Sequence, residues 1–211
     1  MLTTIHNRSL LVAFSLLFNA PIATAVPITL DFEGFADGTS LTNQYAAQGV
    51  TFSNATVIQS GLSLNEFEFP PVSGQNVIFD DGGFIWAMFD SLVSDLTIHL
   101  TYTVPVTLVA FDAANLEVAT VSSLYSENFV SSGNLPNEML TIAFPSGFRS
   151  IQIRGNAIGG SFVADNLTFS PISVPDSGCS LVLLSIAMVG IGNFRLVKSL
   201  RSRIRPRSNC P

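Results

Sequence analysis

Between residues 95 and 103 hydrophobic and polar positions alternate without a break. Leu96, Ile98, Leu100 and Tyr102 fall on one side, and Thr97, His99, Thr101 and Thr103 on the other. That period of two is the pattern of an antiparallel strand buried on one face. Further strands are predicted over Val106–Phe111, Leu116–Val121, Met139–Phe144 and Ser150–Arg154, with Val104-Pro105 and Asp112 to Asn115 as turn-like breaks. Asn76–Asp80 and Phe84–Phe89 flank Asp80-Asp81-Gly82-Gly83 and are expected to form a hairpin. Ile28–Phe32, Gly49–Ser53 and Ser161–Phe169 complete a set of roughly ten short strands. Helical spacing in the body is confined to Leu41–Ala47. The fold class expected is all-β, an antiparallel sandwich or barrel. Phe84, Trp86 and Met88 share one face of their strand, and Ile85, Ala87 and Phe89 the other. A strand apolar on both faces is normally central and covered, which predicts Trp86 in the core.

The two ends follow other patterns. Residues 1–25 have the layout of a secretory signal peptide. Arg8 provides the positive segment, Leu10 to Phe18 the apolar run, and Ala23-Thr24-Ala25 the cleavage site. The mature chain is then expected to begin near Val26, after handling by the Sec machinery and signal peptidase. At the other end Val174-Pro175-Asp176-Ser177-Gly178 precedes the apolar run Cys179–Phe194 and then Arg195, Lys198, Arg201, Arg203, Arg205 and Arg207. With Leu196 and Val197 the apolar run reaches the length of a short membrane span, about 179–197, if Arg195 snorkels to the headgroups. The basic cluster predicts that its own side stays cytoplasmic. The body between these segments, 26–173, has a length that favours one domain.

The motif, the apolar run and the basic end, in that order, resemble the VPDSG-CTERM sorting signal, a relative of the PEP-CTERM signals. The resemblance implies an exosortase-type membrane enzyme as processing partner, with Val174, Pro175, Asp176, Ser177 and Gly178 as the sorting motif. It further implies export through the inner membrane of a Gram-negative bacterium, transient anchoring, and release to the envelope or extracellular matrix. Cys179, directly after the motif, departs from the pattern and leaves the processing chemistry open. A plain single-pass anchor preceded by a turn is the other reading of the same residues.

Charge and chemistry narrow the function of the body. Arg149 and Arg154 are its only basic residues, against fourteen acids from Asp31 to Asp165, a balance of 2 − 14 = −12. Such a surface repels phosphates and excludes nucleic acid as a partner. It suits calcium, neutral sugars, or a soluble exported protein. Neither Cys179 nor Cys210 lies in the body, so no disulfide framework is available there. His99 is the body's one histidine and stands among threonines, where an ordinary surface histidine is expected. No G-x-S-x-G elbow is present, a His/Cys zinc site is excluded by count, and no pair of acids stands out for glycoside hydrolysis. A non-enzyme is therefore expected.

Ile28 to Phe52, Phe111-Asp112 and Phe162 to Phe169 resemble the opening, middle and end of jelly-roll domains of PEP-CTERM-type proteins, which are similar to galactose-binding-like and carbohydrate-binding modules. The resemblance implies a jelly-roll β-sandwich and a structural calcium held by Asp31, Glu33 and Asp165, with Asp37 as an added candidate. Independently, Asp165 shares strand parity with Val163, Leu167 and Phe169 and is expected to face the core, where a carboxylate needs a cation or a partner. Pairing of Asp165 with Arg149 or Arg154, with the N-terminal acids as a solvated turn, is the other reading. For sugar stacking the candidates are Trp86, Tyr45 and Tyr125. The functions in play are a structural matrix or surface component, a module that binds extracellular polysaccharide, and, last, a glycan-active enzyme.

Overall fold

In the computed structural model, which describes residues 26–172, ten antiparallel strands form one hydrogen-bonded network folded into two layers. The strands are β1 (Ile28–Leu30), β2 (Ser40–Leu41), β3 (Val50–Ser53), β4 (Ala55–Gln59), β5 (Asn76–Asp80), β6 (Ile85–Tyr102), β7 (Thr107–Phe111), β8 (Glu117–Ser122), β9 (Glu138–Arg154) and β10 (Phe162–Pro171). The expected signal peptide, sorting motif, membrane span and basic tail lie outside the described residues. Among the described residues no helix is long and apolar enough to cross a membrane.

The two long strands make the sandwich. Phe84–Phe89 and Asp95–Thr103, predicted as separate strands, belong almost entirely to β6; Met139–Phe144 and Ser150–Arg154 both belong to β9. Their pairing register slips between Met88 and Val93 and again before Asp95, and there the pair bends from one layer into the other. Before the bend, β6 lies between β3 and β9, and β9 continues to β7 and β8. After it, β6 lies between β10 and β9, and β10 continues to β5, β4 and β2. Strand β1 also pairs with β10. The core fills the space between the layers. Leu96, Ile98, Leu100 and Tyr102 are fully buried, as their alternation predicts, against Phe32, Phe148, Phe162 and Phe169. Each such side chain contributes roughly 1.5–3 kcal/mol by leaving water.

Three expectations are corrected. Leu41–Ala47 is not a helix: it begins in β2 and ends in a single 3-10 turn, Ala46–Gln48. Asp80 to Gly83 does not close a hairpin, because β5 pairs with β4 and β10 while β6 pairs with β3, β9 and β10. The cause lies in Asp80. Its buried carboxylate accepts from Ser161 N, Ser161 Oγ and Phe162 N at 2.7–3.1 Å, which ties the end of β5 to the start of β10. Finally, Asp165 does not share a face with Leu167 and Phe169. Asn166 takes a left-handed conformation (φ 50°) at a break in the β10 register. Phe162, Ala164, Leu167 and Phe169 therefore point into the core, while Val163 joins a separate apolar cluster with Leu64 and Val77.

Candidate functional site

The outward face of the β3–β6–β9–β7–β8 layer carries an aromatic pair that the strand order brings together. In β6, Ile85, Ala87 and Phe89 point inward and are buried, so Trp86 and Met88 point out. Trp86 stands opposite Gln152 of β9, and Gln152 opposite Val109 of β7; in the next row Met88, Ser150 and Phe111 are aligned. Strands two apart are separated by roughly 9.5 Å. The ring centroids of Trp86 and Phe111 are nonetheless 5.2 Å apart, with planes inclined at 33°. Both rings must lean over β9 to meet, which explains why Ser150 and Gln152 beneath them are each only 7% exposed. Trp86 is half-buried, with part of the indole in solvent. The expectation of Trp86 in the core is corrected: the apolar residues on its side of the strand form a covering plate outside the core cluster.

Polar groups edge this plate. The Arg154 guanidinium lies 5.8 Å from the centre of the Phe111 ring, within cation–π range. Its Nε donates to Gln152 Oε1 at 2.5 Å, and its Nη1 stands 4.0 Å from Glu117 Oε2. Thr120 Oγ1 donates to Glu117 Oε1 at 2.6 Å. One of the body's two cations is thus fixed at the rim of an aromatic surface, beside an amide and a carboxylate. The exposed pair with Glu117 contributes little to stability. Its effect is to orient the guanidinium. An apolar ring surface bordered by fixed donors and acceptors matches a sugar ring, which offers C–H groups on its faces and hydroxyls around its edge. Phe111, Gln152 and Arg154 were not among the sequence candidates for a site. The signal available was the period-two spacing of Ser150, Gln152 and Arg154, a polar face on an otherwise apolar strand.

Of the other stacking candidates, Tyr45 is buried among Phe32, Phe35 and Phe52 with centroids 5.5–6.1 Å away, and offers no ring to solvent. Burial, then the nearby Asp31, pushes its hydroxyl up to about 12. Tyr125 is partly buried and packs against the core.

The four carboxylates expected to hold calcium have other partners. Asp165, 1% exposed, accepts from Val72 N (2.8 Å) and Ser73 N (2.9 Å) through Oδ2 and from Asn166 N (2.7 Å) through Oδ1. Glu33 Oε1 accepts from Gln75 N (2.9 Å) and Asn76 N (2.8 Å). Together they clamp both sides of the turn at Gly74 (φ 56°). Asp37 accepts from Ser63 Oγ at 2.6 Å and Gln59 N at 2.9 Å, bonds that hold its carboxyl below the usual range. Asp31 Oδ1 takes the Glu33 N–H at 3.2 Å. Among the described residues no three of His, Cys, Asp and Glu are grouped to hold a metal; each of these carboxylates is instead engaged by N–H or O–H donors. Neither arginine reaches Asp165: Arg149 Nη1 donates to the Asp90 carbonyl at 2.6 Å, and Arg154 belongs to the plate. Burial raises the Asp165 and Asp80 carboxyls above the usual range, against the pull of the amides they accept. His99 lies opposite Asp165 and has its Nδ1 buried without a partner, unlike the ordinary surface residue expected.

No protein-family model matches the chain, and no curated protein does. Among solved structures, the K2 cleaved adhesin domain of Lys-gingipain is similar at 13% identity and a TM-score of 0.45, covering 69% of this chain and 99% of that one. The K1 adhesin domain of Lys-gingipain from Porphyromonas gingivalis W83 is similar at 9% identity and a TM-score of 0.37, covering 69% and 98%. A variant family 29 carbohydrate-binding module complexed with mannohexaose is similar at 14% identity and a TM-score of 0.38, covering 70% and 93%. These likenesses are distant.

Proposed function

We propose that this chain is an exported, non-catalytic jelly-roll module that holds neutral polysaccharide against the Trp86–Phe111 plate. The observation that carries the reading is the leaning of the two rings over β9, with Arg154, Gln152 and Glu117 fixed at the edge. Phe111, only 9% exposed, is the support against which the indole lies, so the half-buried Trp86 is the ring offered to a ligand on this outward face. The excess of acids over bases in the body favours a neutral glycan over an anionic one. The layout of the two ends supports passage through the Sec machinery, removal of residues 1–25, and sorting by an exosortase-type enzyme at Val174 to Gly178. The module then works in the envelope or matrix, where weak contacts repeated along a polymer give firm retention.

A glycan array probed with the full chain tests the ligand class. Neutral polysaccharides are expected to give signal and anionic ones none, and Trp86→Ala is expected to remove the signal while the domain still melts cooperatively. Signal from anionic polymers alone would reject the reading. The sorting part has a separate check, mass spectrometry of the protein recovered from its host. An N-terminus near Val26 and loss of everything beyond about Gly178 are expected; a mature pool that still contains Cys210 would contradict processing.

A further inference from the structure

A cavity of about 200 Å³ opens on the outward face of the other layer, away from the plate. Ile58 of β4, Phe79 of β5 and Val163 of β10 form its floor. The loop between β4 and β5 supplies one wall with Leu64 and Phe69, and Asn65 stands at the rim. The turn before β10 supplies the opposite side with Gly160 and Ser161.

Both walls are fixed before any ligand arrives. On one side Asp37 holds Gln59 N and Ser63 Oγ, and Phe69 stacks on Phe129 with centroids 6.2 Å apart and planes at 26°. Glu68 of the same loop accepts from Ser131 N at 2.8 Å. On the other side the buried Asp80 carboxylate holds Ser161 and Phe162, and the Asp80 carbonyl accepts from Gly160 N at 2.8 Å. No charged residue lines the cavity, in a body with fourteen acids. Its volume falls below the roughly 300 Å³ at which drug-sized pockets begin, and suits a single ring. Aromatic and aliphatic side chains meet one face of such a ring, and Ser63, Asn65 and Thr103 are the polar residues beside them. The Ser63 and Thr103 hydroxyls already donate to Asp37 Oδ2 and to the Ser161 carbonyl and can only accept from a ligand, which makes Asn65 the donor.

We propose that this cavity is a second, independent sugar site that takes one uncharged pyranose unit, a chain end or a branch, while the plate on the opposite layer takes the body of a polymer. The domain is then bivalent and can join two glycan strands. The cavity does not depend on the Trp86 reading, and the two fail separately. Trp86 is the only tryptophan and lies on the other layer, so its fluorescence does not report on the cavity.

The test is saturation-transfer NMR and calorimetry with the full chain in a zwitterionic, sugar-free detergent, using methyl glucoside, methyl galactoside and methyl mannoside as probes. At least one is expected to bind at a single site and to leave tryptophan emission unchanged. Trp86→Ala is expected to keep that affinity, and Asn65→Ala to weaken it about tenfold, or about 1.4 kcal/mol. Asn65 is exposed, so its replacement leaves the fold in place. Val163→Phe, which fills the floor, is expected to abolish binding. Should that variant fail to fold, Asn65→Ala still decides. Absence of binding by all three pyranosides, loss of their binding in Trp86→Ala, or indifference to Asn65→Ala would each overturn the proposal.

Discussion

Asp80 and Asp165 are carboxylates that the fold removes from water and surrounds with backbone N–H groups. Burial is the larger influence on each, so the folded values lie above the unfolded ones. The folded state therefore holds its protons more tightly than the unfolded chain. This contribution to stability is fully present below the unfolded carboxylate range and is lost as pH rises through the raised folded values. Asp37 and Glu68, lowered by bonds from Ser63 and from Ser131, act in the opposite sense, but their carboxyls lie near the surface and their effect is small. Thermal melts between about pH 4 and pH 7 are expected to show highest stability toward the acidic side, and Asp80→Asn and Asp165→Asn to flatten that slope. A slope unchanged in both variants would contradict the assignment. Asp165→Ala is a separate case. It leaves the amides of Val72, Ser73 and Asn166 without their acceptor and is expected to cost about 3 kcal/mol in denaturant unfolding. With these carboxylates occupied by amides, a chelator is expected to leave the parent melting temperature unchanged; a rise on adding calcium would show that they regroup around the ion.

At the scale of elements, much of the fold was legible. The alternation of Leu96 to Tyr102 is present as predicted, because one face of β6 meets the core. Illegible were the places where a strand changes its rule. The slip near Val93 joins two predicted strands into one, and the left-handed Asn166 reverses the faces of β10. Neither leaves a mark in hydrophobic periodicity. Asn tolerates left-handed φ better than most residues, and this is all the sequence says at position 166. The candidate site suffered from a related ambiguity. An apolar residue on the outward side of a strand reads like a core residue, so periodicity alone places Trp86 inward. The bulge can be tested directly. Asn166→Gly is expected to be near-neutral in melting temperature, and Asn166→Val to lose about 1–2 kcal/mol because a β-branched side chain resists left-handed φ. Equal stability of the two variants would show that the bulge is not held as described.

For the whole molecule, the proposed role is retention of neutral polysaccharide on one outward face through Trp86. On the proposed reading the excess of acids disfavours anionic surfaces, and the plate would supply an attraction that needs no net charge. Because Trp86 is the sole tryptophan, its emission reads the plate without labelling. The direct measurement is a fluorescence titration of the full chain with galactomannan, mixed-linkage glucan and dextran, with alginate as the anionic counterpart. A saturable change in emission with at least one neutral polymer is expected, insensitive to moderate salt and absent with alginate. Phe111→Ala is expected to weaken that binding about tenfold, or about 1.4 kcal/mol, because it removes the buried ring that holds the Trp86 indole in place. No change in Trp86 emission with any neutral polymer, or an affinity unaltered by Phe111→Ala, would rule out binding at the plate.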